Sequence, residues 1–121
     1  MTLKEIYENV GGDYSDVVKR LVSEEFVMRF VLKFSADDSF ATLTRAMETR
    51  NAEKAFRAAH TLKGVAQNLG FGNLGRSASA ITEVLRNGTI DGADELYVAV
   101  KADYTALIGA INSLTAEPDR K

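Results

Sequence analysis

"NAEKAFRAAHTLKGVAQNLG", residues 51–70, decides the fold. Asn51 has the short polar side chain of a helix N-cap, and Gly70 suits the left-handed position just past a helix end, so the spacing predicts a helix reaching Leu69. At about 100° per residue, Ala55, Ala58, Leu62, Val65, Ala66 and Leu69 gather on one side. Phe56, Arg57, His60, Lys63, Gly64 and Gln67 share the other. A helix with one apolar stripe must bury it against other elements. The sole histidine of the chain then points to solvent.

Working outward, every long segment repeats with the helical period and the turn signals fall between these segments. Residues 2–10 read as a short helix ended by Gly11-Gly12, and 15–21 as another after an Asp13-Tyr14 turn. Ser23 has the features of an N-cap, with Glu24 and Glu25 where the helix dipole favours negative charge. The run FVMRFVLKF, residues 26–34, has only Arg29 and Lys33 as polar breaks and is expected to be covered on most sides. After an interruption at 35–38, a helix over 39–49 is expected to bury Phe40, Leu43 and Met47. Asn73 opens the next, with stripe Leu74, Ala78, Ile81 and Leu85, ending at Asn87-Gly88. Asp91 is expected to cap the last, with Leu96, Val100, Leu107, Ile111 and Leu114 inward. Short connections make consecutive helices antiparallel neighbours. The expectation is an all-α, up-and-down antiparallel four-helix bundle over 23–115 within a single domain, capped by N-terminal helices at 1–22 and followed by a polar tail at 116–121.

Composition narrows the function classes. The chain has 121 residues, 45% hydrophobic and 26% charged, which suits one globular domain. Without cysteine there are no disulfides, thiolate metal sites or cysteine nucleophiles. A formal net charge of −2 with interspersed signs offers no basic field to nucleic acid. No long uninterrupted apolar run marks a membrane span, and the acidic segment TLKEIYENVGGD is unlike a secretory signal. The expected location is cytoplasmic.

An exposed lone histidine is ordinarily just a surface residue; its helical neighbours change that reading. To take up a phosphoryl group, an imidazole needs a free nitrogen, a nearby cation for the transferring oxygens, and room for the donor. Residues at i+3 and i+4 are its neighbours on the helix surface. Lys63 supplies the cation. Gly64 supplies the room: glycine inside a helix costs about 0.5–1 kcal/mol relative to alanine, and here it faces away from the apolar stripe.

His60-Thr61-Leu62-Lys63-Gly64-Val65-Ala66-Gln67-Asn68-Leu69-Gly70 resembles, position for position, the H-x-L-K-G-x-[AS]-x-x-[LF]-G signature of histidine-containing phosphotransfer (HPt) domains. The resemblance extends over most of the chain. It implies a four-helix bundle whose exposed histidine accepts a phosphoryl group at Nε2 from a receiver domain's aspartyl phosphate and passes it to another receiver. Lys63 inherits the charge-stabilising role and Gly64 the small-residue role. Gln67 is not fixed in the pattern, and a hydrogen bond from it to the phosphoryl group is a further expectation. Partners would be response-regulator receiver domains, with a hybrid sensor kinase as another candidate, and the chain would act as a monomer. Magnesium would be held by the receiver's acidic residues; no cofactor or metal is expected on this chain. Phe56 would serve either in a small docking patch or in packing against the preceding helix. Arg57, and Arg76 from the following helix, would border the patch and read an acidic rim.

Sensor-kinase dimerisation helices resemble H-[ED]-x-x-[TN]; here those positions hold Thr61 and Gly64, which argues against autokinase and phosphatase chemistry of that type. Nor is there a Walker-type phosphate loop. Two rival readings remain: a phosphatase that inserts Gln67 beside a receiver's phosphoaspartate, and a binding module without chemistry. Neither needs His60. Gly70 to Gly75 spells G-x-G-x-x-G, but it follows a helix and lacks the strand a dinucleotide site requires. Asn87-Gly88-Thr89 fits a glycosylation sequon and reads better as a turn.

Overall fold

The computed structural model describes residues 2–115, so the polar tail expected at 116–121 lies outside the described residues. Among the described residues, seven helices follow one another: α1 (Leu3–Asn9), α2 (Tyr14–Arg20), α3 (Glu24–Phe34), α4 (Ser39–Glu48), α5 (Ala52–Asn68), α6 (Gly72–Leu85) and α7 (Asp94–Thr115). No strand occurs among the described residues. Local chemistry sets many of the boundaries. Thr2 and Glu5 form a reciprocal capping box on α1, while Asp13, Ser23 and Asn51 each accept a backbone N–H in the first turn of the helix they precede. Gly70, at φ +76°, ends α5 in the left-handed conformation that its position predicts.

Helices α4 to α7 form the antiparallel four-helix bundle, with α5 packed between α4 and α6. Side-chain pairs fix their directions. Across α5 and α6, Gln67 lies beside Gly75 and Phe56 beside Arg86. Across α4 and α7, the Thr44 and Tyr97 hydroxyls share a hydrogen bond of 2.6 Å, and Arg50 forks onto Asp94 at 2.7 and 3.1 Å. Phe40 stacks on Tyr104 at 4.2 Å and on Tyr97 at 5.8 Å. It is therefore half-buried rather than sealed, while Leu43 and Met47 are buried as expected.

The N-terminal helices cover the end of the bundle where α5 turns into α6. The Tyr7 hydroxyl donates to the Leu69 carbonyl at 2.6 Å, and the Asn73 N–H donates to the Val10 carbonyl at 2.9 Å. Gly12 lies so close to the Gly70 carbonyl that a Cβ there would collide with it. Phe71, fully buried, joins the layers: its ring meets Tyr7 at 5.7 Å and Phe34 at 5.3 Å, and Phe34 in turn meets Tyr104 at 5.9 Å. Burial raises the Tyr7 hydroxyl's pKa, with the neighbouring Tyr14 adding to the effect. Burial, followed by a hydrogen bond and charge from Glu24, pushes Tyr14 up to about 12. Both phenols stay protonated.

Two expectations need correction. The run at 26–34 is not covered on most sides: Val27, Val31 and Phe34 are buried, whereas Phe26, Phe30 and Leu32 are 41%, 39% and 38% exposed. Val27, Val31 and Phe34, with half-buried Met28 beside them, are the side of α3 that packs into the core. Asp91 does not cap the last helix. Ile90 and Ala93 are buried, and Gly92 at φ +85° carries the chain through a turn in which the Ala93 N–H donates to the Ile90 carbonyl, so α7 starts at Asp94.

Tyr7→Phe keeps the ring contacts and removes the one hydroxyl that satisfies the Leu69 carbonyl from the cap. Urea unfolding should show a loss of about 1–3 kcal/mol, the range for a buried hydrogen bond with an orphaned partner; an unchanged midpoint would mean that the cap is not fastened there.

Candidate functional site

The inner side of α5 is almost closed to water. Ala55, Ala59, Leu62 and Ala66 have no exposed surface, and Ala58 and Leu69 have 6% and 4%. The small alanines let α4 and α6 approach closely, which fixes the rotation of α5 about its axis. His60 is consequently exposed, midway along the helix. Its ring nitrogens have no hydrogen-bond partner among the described residues, and its only ring neighbour there is Phe56, at 5.8 Å between centroids and tilted by 42°.

Lys63, one turn further on, is half-buried and makes no ion pair among the described residues. Gly64 is exposed, and a Cβ built on it would meet nothing within 4 Å. Packing therefore does not require glycine at this position. Gln67 is exposed two turns beyond His60, about 10 Å along the axis, with its stem beside Gly75.

The expected docking residues divide. Phe56 is half-buried and packed against the core, and the Arg86 guanidinium of α6 lies over its ring at 5.1 Å. Arg57 is exposed and paired with Glu53 at 2.9 Å; on its α4 side it borders a groove shared with Arg45, Lys54 and Thr61. Arg76 does not border Phe56. It bonds to Asn73 and faces the loop at Gly11 and Gly12, lining a cleft with Gln67 at the capped end.

Two residues of α6 that sequence reasoning did not single out stand at the site. Arg86 forks onto Glu83 at 3.2 and 3.0 Å. That hydrogen bond and charge hold the Glu83 carboxyl below its usual range, and the positive fields of Lys63 and His60 act in the same direction. The same pairing raises Arg86. Helix register was the available signal: an antiparallel α5–α6 pair joined at Gly70 to Phe71 brings Glu83 abreast of His60. Among the described residues, no group of three or more His, Asp or Glu side chains is arranged to hold a metal ion, and no helix is long and apolar enough to cross a membrane.

The described residues thus form an all-helical bundle with an outward imidazole, an ammonium one turn away and open space beside it. The family model described as the Hpt domain matches residues 27–110, well over half of the 121 residues, and the chain belongs to that family. Hpt domains are phosphocarrier modules, and membership implies histidine phosphotransfer in two-component signalling. No curated protein and no solved structure matches the chain.

Because nothing opposes a methyl group at Gly64, Gly64→Ala should stabilise the fold by about 0.5–1 kcal/mol through helix propensity alone. Thermal unfolding checks this. A lower melting temperature would show that the glycine serves packing after all.

Proposed function

We propose that this chain is the histidine phosphotransfer protein of a multistep relay, accepting a phosphoryl group on His60 from one receiver's aspartyl phosphate and delivering it to another receiver. In the accepting step the Nε2 lone pair attacks phosphorus, the N–P bond forms, the P–O bond to the aspartyl carboxylate breaks, and the free carboxylate is restored. Delivery reverses these bond changes on a second aspartate. The observation that carries the reading is the exposed His60 ring, without a hydrogen-bond partner among the described residues, held on a rigid helix one turn before Lys63 and the bare backbone of Gly64.

Lys63 draws the transferring oxygens, whose charge spreads in the loose transition state of phosphoryl transfer. Gly64 admits the receiver's loops. Gln67, on the same face, donates a hydrogen bond to the phosphoryl group once the partner is seated. Magnesium belongs to the receiver, since the carboxyl beside His60, that of Glu83, is already engaged by Arg86. Phe56 and Arg57 lie at the docking rim. A relay must release its partners, so the interface is small, at or below about 1,200 Å². The chain acts as a cytoplasmic monomer and uses no ATP of its own.

Incubation with a radiolabelled phospho-receiver and magnesium should move label to the chain in an acid-labile, base-stable form. His60→Gln should abolish it, and Lys63→Ala should slow uptake on the order of 10-fold or more, the scale of losing one charge-stabilising donor. Receiver dephosphorylation that survives His60→Gln, with no label on the native chain, would overturn the reading in favour of a phosphatase.

A further inference from the structure

The cluster on the α6 side of His60 contains a carboxylate for which phosphoryl uptake has no use. A phosphoryl group on His60 is a dianion, and an acid beside it is repelled by it. Yet the α5–α6 register that sets Gly75 beside Gln67 also sets Arg86 over Phe56 and Glu83 abreast of His60. Phe56 is the platform. Its ring touches His60 on one side at 5.8 Å and carries the Arg86 guanidinium at 5.1 Å, while Glu83 grips that guanidinium through two hydrogen bonds. All the charges stand on the surface, so the arrangement contributes little to folding. Its effect falls on whatever His60 carries.

Building on the carrier reading above, we propose that Glu83 tunes the phosphorylated state: its charge, moderated by Arg86, opposes the phosphoryl dianion on His60 and keeps phosphohistidine short-lived and readily donated. Lys63 favours the phosphoryl group from α5, Glu83 disfavours it from α6, and Arg86 sets how much of the Glu83 charge is felt. Loss of the group follows one of two balanced routes. In hydrolysis, water's oxygen bonds to phosphorus, the N–P bond breaks, the ring nitrogen recovers its lone pair and inorganic phosphate leaves. In transfer, a receiver carboxylate oxygen takes water's place. Glu83 touches neither reacting atom; it acts through charge.

Two neutralising variants separate this role from a structural one. Glu83→Gln removes the opposing charge, and Arg86→Met leaves that charge unmoderated while keeping an apolar cover on Phe56. Each variant and the native chain is phosphorylated with phosphoramidate, the phosphohistidine lifetime is followed by phosphorus NMR, and the equilibrium with a receiver domain is measured. Glu83→Gln should lengthen the lifetime and shift the equilibrium toward the phosphorylated chain by about 3- to 10-fold, the scale for one screened surface charge. Arg86→Met should move both quantities the opposite way, and Glu83→Asp should restore native behaviour. Changes in the same direction for Glu83→Gln and Arg86→Met, or none beyond twofold, would overturn the inference while leaving the carrier reading intact. A native chain that gains no phosphohistidine from phosphoramidate or from a phospho-receiver would overturn both.

Discussion

Everything at the surface of this protein depends on how α5 is held in rotation. Its inner side is a run of alanines interrupted by Leu62, closed on both flanks by α4 and α6. A turn of one residue about the axis would carry several fully buried groups into water and swing exposed polar ones inward. Each buried leucine or isoleucine lost from such a core costs about 2–5 kcal/mol, a large part of a domain's whole stability. The outward direction of His60 is thus a consequence of what lies opposite it. The imidazole is held in place by packing that it takes no part in.

That arrangement separates stability from chemistry. Glycine at position 64 weakens the helix and fills no tight space, so its value lies in what it leaves open. Lys63 makes no ion pair among the described residues, whereas Arg57 and Arg86 are paired along their own helices. In the proposed relay, the Lys63 ammonium one turn from the exposed imidazole is available to incoming phosphoryl oxygens. The charges of Arg57 and Arg86 are offset by Glu53 and Glu83. Such a surface suits brief encounters with more than one partner, because rim charge influences how fast partners meet more than how long they stay.

Much of the fold was legible because its signals are local. The Ser23 and Asn51 caps, the left-handed Gly70 and the stripes of α5 and α6 each follow from a few adjacent residues. What was not legible depends on distant partners. Nothing near Phe71 marks it as the ring that joins Tyr7 to Phe34, and nothing within 26–34 tells that Phe26, Phe30 and Leu32 stand exposed. Val22 and Arg50 take positive φ without being glycine or asparagine, so their turns carry no sequence signal. The same division holds at the site. His60, Lys63 and Gly64 are spaced along one helix and can be read from it. Glu83 and Arg86 arrive from α6, and Arg76 departs toward the capped end, through a register that single-helix spacing does not contain.

The most direct test is phosphorus–nitrogen correlation NMR on nitrogen-15-labelled protein, phosphorylated by a receiver in the presence of magnesium. The predicted result is one phosphorus resonance coupled to Nε2 of His60, with the backbone amides on the buried side of α5 unshifted, because the ring is modified where it already stands. Phosphorus found on another residue, or amide shifts spread through Ala55, Leu62 and Ala66, would contradict a fixed helix that presents its histidine ready for transfer.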